Sequence, residues 1–432
     1  MKLRLSWAVA ALLICGLVAT GLSWIGSSTV HAVPVAVTGS ATVVCPSHEP
    51  ALVATRVRAT SGSTARVLGS ASTVTVTLDG LTGGAQPYVV TGDQSLAALS
   101  VGGAAAGPLK GLWATGCDAP AVEQTLVGLT SDATHRAFLL IANPDPAQAI
   151  VDVSLFDASG RVQAAGARGL VVLGNSTRTL ALEPLVQAAE PVTAVVRAST
   201  GRVRTVARVE GAGGADWVGT AAPAAPTVVI AGVPAGEGER TLIVNNPGPR
   251  RATVSVVALT AQGAFAPAGA ESVDVNAEST TSVRIDSALR GDVSGLKLTS
   301  SQPVSAAVRA TSTDGDVAFS PARPAFAGRS VVPLVPNSAL VLTNPGESEA
   351  SVTIAVDEGT ATPTLVAPHT TIQVPVTTGR SAELATSSSD LRIAMIVTQV
   401  DQVKGIGVVA LGPGGIAEST VSPTLDPRLA PA

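Results

Sequence analysis

Aromatic residues are nearly absent: four Trp, one Tyr and five Phe make 2% of the 432 residues. Any core must therefore be assembled from Val, Leu, Ala and Ile. Stacking platforms for sugars or bases are too few to line an extended groove. Lysine is almost as scarce, with four residues (2, 110, 297 and 404) among 27 basic ones. Charged residues reach only 13%, scattered to a formal net charge of −4, so nothing carries the electrostatic footprint of a nucleic-acid binder. Beyond the first 32 residues the histidines are His48, His135 and His369. None belongs to a local cluster of three or more His and Cys at ligand spacing, so no metal site is expected and each reads as a loop residue.

Catalytic signatures are missing too. There is no G-x-S-x-G elbow and no S-x-x-K in a supporting context. The acidic pairs Glu237/Glu239, Glu347/Glu349 and Asp314/Asp316 lie among turn formers. Solvated acids are expected there rather than the facing carboxylates of glycoside hydrolysis. "TDGD" (313–316) is too short for an EF-hand loop. "GAGG" (211–214) and "GPGG" (412–415) lack the strand-turn-helix setting of a phosphate loop. "RGD" (290–292) and "NST" (175–177) are read as turns. No cofactor is expected.

The N-terminus carries a clear signal. A cationic "MKLR" precedes Trp7–Ile25, a stretch of 19 uncharged residues, and "GSSTVHA" follows. Val30 and Ala32 fit small-residue cleavage before Val33. This predicts export. Because about 20 apolar residues can span a bilayer, an uncleaved anchor helix is the alternative. Cys15 follows the bulky Ile14, which suits a leader residue better than an acylation site. Two cysteines then remain, Cys45 and Cys117, and an exported chain favours pairing them as a disulfide. No later segment is apolar for long enough to cross a membrane as a helix, so membrane contact is expected only through the N-terminal segment.

One phrase recurs three times: "FLLIANPDPAQAIVDVSLFD" (138–157), "TLIVNNPGPRRATVSVVALT" (241–260) and "ALVLTNPGESEASVTIAVDE" (339–358). An apolar strand runs into Asn143, Asn246 or Asn344, and Pro144, Pro247 or Pro345 ends it, since proline cannot donate to a ladder. Gly248 and Gly346 suit a type II turn, with Asp145 the weaker substitute. Ala149, Ala252 or Ala350 then restarts a period-two pattern, the mark of a half-buried strand. Further echoes lie at 171–182, 273–285 and 364–376, each a strand, a polar kink and a strand. "EPVTAVVRAST" (190–200) and "QPVSAAVRATS" (302–312) are near copies, with Arg197 and Arg309 expected on the solvated face. "VATRVRATSG" (53–62) is related to them, which makes the N-terminal region a divergent relative or a permuted unit.

Phrases about 100 residues apart, each with about seven short strands, match β-sandwich domains. The expected fold is all-β, with tandem immunoglobulin-like β-sandwich units after an N-terminal signal or anchor helix. A β-propeller-like ring is the alternative. The expected organisation places a signal peptide or membrane anchor at 1–32 and a β region with the disulfide at 33–122. Sandwich units follow at 123–222, 223–325 and 326–416, then a disordered tail at 417–432.

The leader, Cys45-Pro46, "GCDAP" (116–120) and L-x-x-NP followed by A-x-V-x-V together resemble domain of unknown function 5719. Its members are uncharacterised exported proteins of high-GC Gram-positive bacteria. The aromatic-plus-glycine pair of that family after Cys-x-x-Pro is missing from "EQTLVGLT" (123–130). The resemblance implies a cell-envelope location and brings no catalytic residues. The functional expectation is a non-catalytic, secreted or extracytoplasmic scaffold whose partner is an envelope protein or glycan. Alternatives are a glycan- or ligand-binding module, with Trp217 in "GGADWVGT" as a contact, or an unrecognised envelope hydrolase.

Overall fold

Valine and isoleucine alternating with small or polar neighbours put one face of each strand inward, so the chain folds as pairs of antiparallel sheets. The computed structural model describes residues 40–412 apart from 47–53, 78–79, 83–85, 94, 108, 187, 212 and 377. The leader, Cys15, His48 and the expected tail at 417–432 lie outside the described residues. Among the described residues no helix is long and apolar enough to cross a membrane.

The N-terminal unit contains β1 (Ala41–Cys45), β2 (Ala54–Ala59), β3 (Thr64–Val67) and β4 (Thr73–Thr75). It continues with β5 (Leu81–Thr82), β6 (Tyr88–Gly92), β7 (Ala98–Ala104) and β8 (Gly111–Gly116). Unit 1 follows with β9 (Glu123–Ser131), β10 (Arg136–Asn143), β11 (Ala149–Asp157), β12 (Gly160–Val162) and β13 (Leu170–Val172). It closes with β14 (Ser176–Ala181), β15 (Ala188–Thr200), β16 (Arg204–Gly211) and β17 (Gly214–Val218). Unit 2 holds β18 (Ala225–Val233), β19 (Glu239–Asn246), β20 (Ala252–Thr260) and β21 (Gly263–Phe265). Its remaining strands are β22 (Ser272–Val275), β23 (Ser279–Arg284), β24 (Ser294–Thr311) and β25 (Val317–Pro321). Unit 3 contains β26 (Gly328–Pro333), β27 (Ser338–Asn344), β28 (Ala350–Val356) and β29 (Thr362–Val366). It ends with β30 (Thr370–Val376), β31 (Ser381–Thr386), β32 (Arg392–Val400) and β33 (Val403–Ala410).

The same two sheets recur in every unit. In the N-terminal unit the orders are β1-β6-β3-β4 and β5-β2-β7-β8, and in unit 3 they are β26-β31-β28-β29 and β30-β27-β32-β33. Unit 1 repeats them as β12-β11-β15-β9 and β14-β10-β16-β17, with β13 beside β11. Unit 2 differs in one respect: the long β24 serves both sheets, where the other units use two strands. The N-terminal region is thus a fourth unit in the same strand order, divergent in sequence and not permuted. Its "VATRVRATSG" lies on β2, which occupies the place of the Asn-Pro strands rather than that of the strings it echoes. The tandem sandwich architecture holds, and a propeller blade of one sheet is not its building block.

Each repeated asparagine is a buried clasp. Asn246 Nδ2 donates to the carbonyls of Arg250 (2.7 Å) and Asn276 (2.9 Å), while its Oδ1 accepts from the N–H of Gly248 (3.1 Å). Asn344 bonds Ser348 and Val366 carbonyls and the Gly346 N–H in the same way. Asn143 repeats the pattern with Ala147, Val172 and Asp145. The turn is therefore an Asx turn that also ties the strand end to a later segment. The type II expectation fails at Gly248 and Gly346, because neither has positive φ. Gly346 is required for space instead: a Cβ there would crowd the Asp390 carboxylate. The polar kinks do turn on positive φ, at Asn175, Glu278 and His369.

The four units share one compact body. Each ends on an edge strand, and these four converge: β8 packs on β17 and β33, and β25 packs on β17 and β33. Apolar seams support the closure. Trp113 and Trp217 lie between the N-terminal unit and unit 1, and Ala318, Val341 and Val408 lie between units 2 and 3. Leu112 and Ala114 of β8 belong to the core of unit 3. The chain closes on itself.

Candidate functional site at the convergence of four strands

Edge strands carry unpaired N–H groups that must find acceptors when buried. Here two carboxylates supply them. Asp316, just before β25, accepts from the N–H of Leu112 on β8 (3.2 Å) and of Ile406 on β33 (2.7 Å). One side chain of unit 2 therefore stitches the N-terminal unit to unit 3. Gly111 and Gly405 flank it, and a Cβ on either would run into the Asp316 carboxylate. Asp216, on β17, accepts from the N–H of Trp217 (2.7 Å), and the N–H groups of Ala114 on β8 and Phe319 on β25 also stabilise its charge. Burial pushes Asp316 up to about 6, against the opposing N–H bonds and the Lys110 charge. Burial also raises Asp216 well above the usual carboxylate range; the Trp217 N–H opposes this and the Asp316 charge adds to it.

At the other end of the four strands a third acid does the joining. Asp118, from "GCDAP", meets Arg323 Nη2 at 2.7 Å and Arg204 Nη2 at 3.1 Å, and accepts from Thr220 Oγ1 at 2.9 Å. Burial alone would raise its pKa, but the Arg323 and Arg204 guanidiniums outweigh that and hold it below the ordinary value. Arg323 also donates to the Thr220 carbonyl (3.0 Å), and Arg392 of unit 3 donates to the Arg323 carbonyl (3.1 Å). The neighbouring Cys117 is disulfide-bonded to Cys45, and the Val44 N–H donates to the Asp118 carbonyl. The segments joining successive units thus share one ionic knot. Beside it opens a cleft of about 490 Å³ lined by Asp118, Arg323, Gln124, Thr220, Phe326 and Ser330.

Several residues singled out in the sequence fall elsewhere than expected. Trp217 is 2% exposed, because its ring packs with Trp113, Leu109 and Val206, rather than standing out in solvent after the glycine run. Asp316 is buried while its neighbour Asp314 is exposed, so "TDGD" is not a solvated pair. Glu239 is ion-paired with Arg284, and Glu347 is hydrogen-bonded to the His369 ring. Arg197 lies on the solvated face, paired with Glu123. Arg309 is half-buried instead, bonded to Thr130 of unit 1. His135 is held by Asp132 in a hairpin turn. Asn143, Asn246 and Asn344 end their strands, each followed directly by its proline. Asp216, Arg204 and Arg323 were missed by sequence reasoning; the only local signal was a charge amid apolar residues, on strands for Asp216 and Arg204 and on the segment after β25 for Arg323.

Comparison with known proteins places these motifs. A profile described as Family of unknown function (DUF5719) matches residues 91–377. Among curated proteins nothing matches. A Streptomyces avermitilis alpha-L-rhamnosidase complexed with L-rhamnose aligns at 9% identity and TM-score 0.14, over 85% of this chain and 57% of its own. A tetra-tandem repeat in the extending region of a large adhesion protein aligns at 14% identity and TM-score 0.11, over 86% and 98%. Neither alignment is close enough to carry an argument.

Proposed function

The chain belongs to this family of unknown function, DUF5719, and from that premise we propose that it is a non-catalytic, exported cell-envelope protein. Its role is that of a rigid scaffold that presents binding surfaces to a partner. The observation that carries the reading is the stitching of four edge strands by Asp216, Asp316 and the Asp118–Arg323–Arg204 cluster. Asp216 and Asp316 accept backbone N–H groups and Asp118 is held by two guanidiniums, so these acids serve first to hold the body together. A closed body also suits display of surfaces better than spanning a distance. The Cys45–Cys117 bridge supports an oxidising compartment outside the cytoplasm. A pull-down from intact envelopes with the chain lacking residues 1–32 should return a discrete protein or glycan partner. Turnover of an envelope glycan, lost on replacing a buried acid in a variant that still folds, would sink the proposal.

A second reading, a glycan- or ligand-binding module, is favoured by the cleft of about 490 Å³ where units meet. Soaking with envelope-derived oligosaccharides and reading chemical shifts at Thr220 and Phe326 would separate it from a purely structural gap.

A further inference from the structure

A second cleft, of about 350 Å³, opens between units 1 and 2 where three hairpin loops meet. It is at the small end of ligand pockets, about 300–1,000 Å³. Its charged groups are unevenly committed. Glu239 is ion-paired with Arg284 (3.1 Å), and the His135 ring is hydrogen-bonded to Asp132 (3.0 Å). Half-buried Arg309, among the described residues, makes one hydrogen bond, from Nη1 to Thr130 Oγ1 at 3.3 Å, and no ion pair. A guanidinium has five N–H donors in a planar fork shaped for a carboxylate. Most of that fork is unused beside a cavity.

The walls narrow the choice of ligand. Phe319 and Val317 give an apolar side, and Gly211 and Gly213 bring backbone close. Glycine is needed at both: a Cβ on Gly211 would meet the His135 ring, and one on Gly213 the Gly315 carbonyl. Glu239 and Thr311 stand ready to bond hydroxyl groups. The nearby Glu239 charge disfavours a dianion such as phosphate, while a single carboxylate matches the single free fork.

We propose that this cleft binds a small hydroxylated carboxylate of sugar-acid type, its carboxylate on Arg309 and its hydroxyls on Glu239 and Thr311. The proposal rests on the ligand-binding reading and gives it a place and a chemistry. The test is calorimetric titration of the folded chain with glucuronate, with glucose and acetate as separate arms. Glucuronate should bind with a Kd on the order of 1 mM, and glucose or acetate at least tenfold more weakly. Arg309→Gln should weaken glucuronate at least tenfold while leaving the melting temperature unchanged. If that variant folds poorly, Arg309→Lys, which keeps the charge but loses the fork, should still lower affinity severalfold. No glucuronate binding, equal binding of glucose, equal binding of acetate, or wild-type affinity in a folded Arg309 variant would each overturn the assignment. Failure here with a glycan still recovered from envelopes would remove this site and leave the ligand-binding reading standing.

Discussion

Replacing Asp316 with Asn should change how stability depends on pH more than it changes stability at any single pH. Asp316 is 6% exposed and the pKa of its carboxyl is pushed from 3.8 to about 6, chiefly by burial. The folded state therefore holds the proton more tightly than the unfolded chain does. Its stabilising contribution is complete below pH 3.8 and is lost as pH rises through about 6. A shift of about two units at 1.36 kcal/mol each gives roughly 3 kcal/mol lost across that window. Groups with depressed values, such as Asp118 and Asp132, act in the opposite sense, losing stability as pH falls. The wild-type profile alone is therefore ambiguous, and the difference between wild type and Asp316→Asn isolates the carboxyl. Urea unfolding at half-unit steps from pH 3 to 7 should show wild type losing about 3 kcal/mol more than the variant over that range. Parallel profiles in the two proteins would refute the burial argument.

Other outcomes follow from the same contacts. Cys45 and Cys117 close a loop of 72 residues; Cys45→Ser with Cys117→Ser should cost about 4 kcal/mol on loop entropy, read by calorimetry with and without reductant. Asn246→Ala strands the Gly248 N–H and two carbonyls and should cost about 2–3 kcal/mol in urea unfolding; a loss under 0.5 would contradict the clasp. Gly405→Ala places a Cβ against the Asp316 carboxylate and Leu112, so it should destabilise by about 1–3 kcal/mol and speed proteolysis between units. Gly116→Ala, with its nearest neighbour 3.8 Å away, should be tolerated within about 0.5 kcal/mol. Arg323→Met leaves Asp118 with one guanidinium and should cost about 3 kcal/mol in the same assay.

The repeated sandwich was legible because its determinants are local. Period-two valines and an Asn-Pro strand end act over a few residues, and they mark β10–β11, β19–β20 and β27–β28 correctly. The disulfide followed from two cysteines in a chain whose N-terminal sequence predicts export. The convergence was hidden because its determinants are distant: Arg323 meets Asp118 from 205 residues away, and Asp316 reaches the Leu112 N–H across 204. "TDGD" looks like a solvated turn to any local reading, and Trp217 looks exposed because it follows a glycine run. Those glycines are there for close packing against Gly315 and Lys110 of neighbouring units, which is why the residues after them are buried. The topology of the N-terminal unit was hidden for another reason: its strands keep the order of the others while sharing almost none of their strings.

Small-angle scattering on the chain from Thr38 to Ala417 tests the closure most directly. A body of about 380 residues packed as one unit should give a radius of gyration near 21 Å. Asp316→Asn and Arg323→Met would be measured beside it as perturbations of the two ends. A value of roughly 40 Å or more for the wild type, as four sandwiches strung end to end would give, would contradict the account.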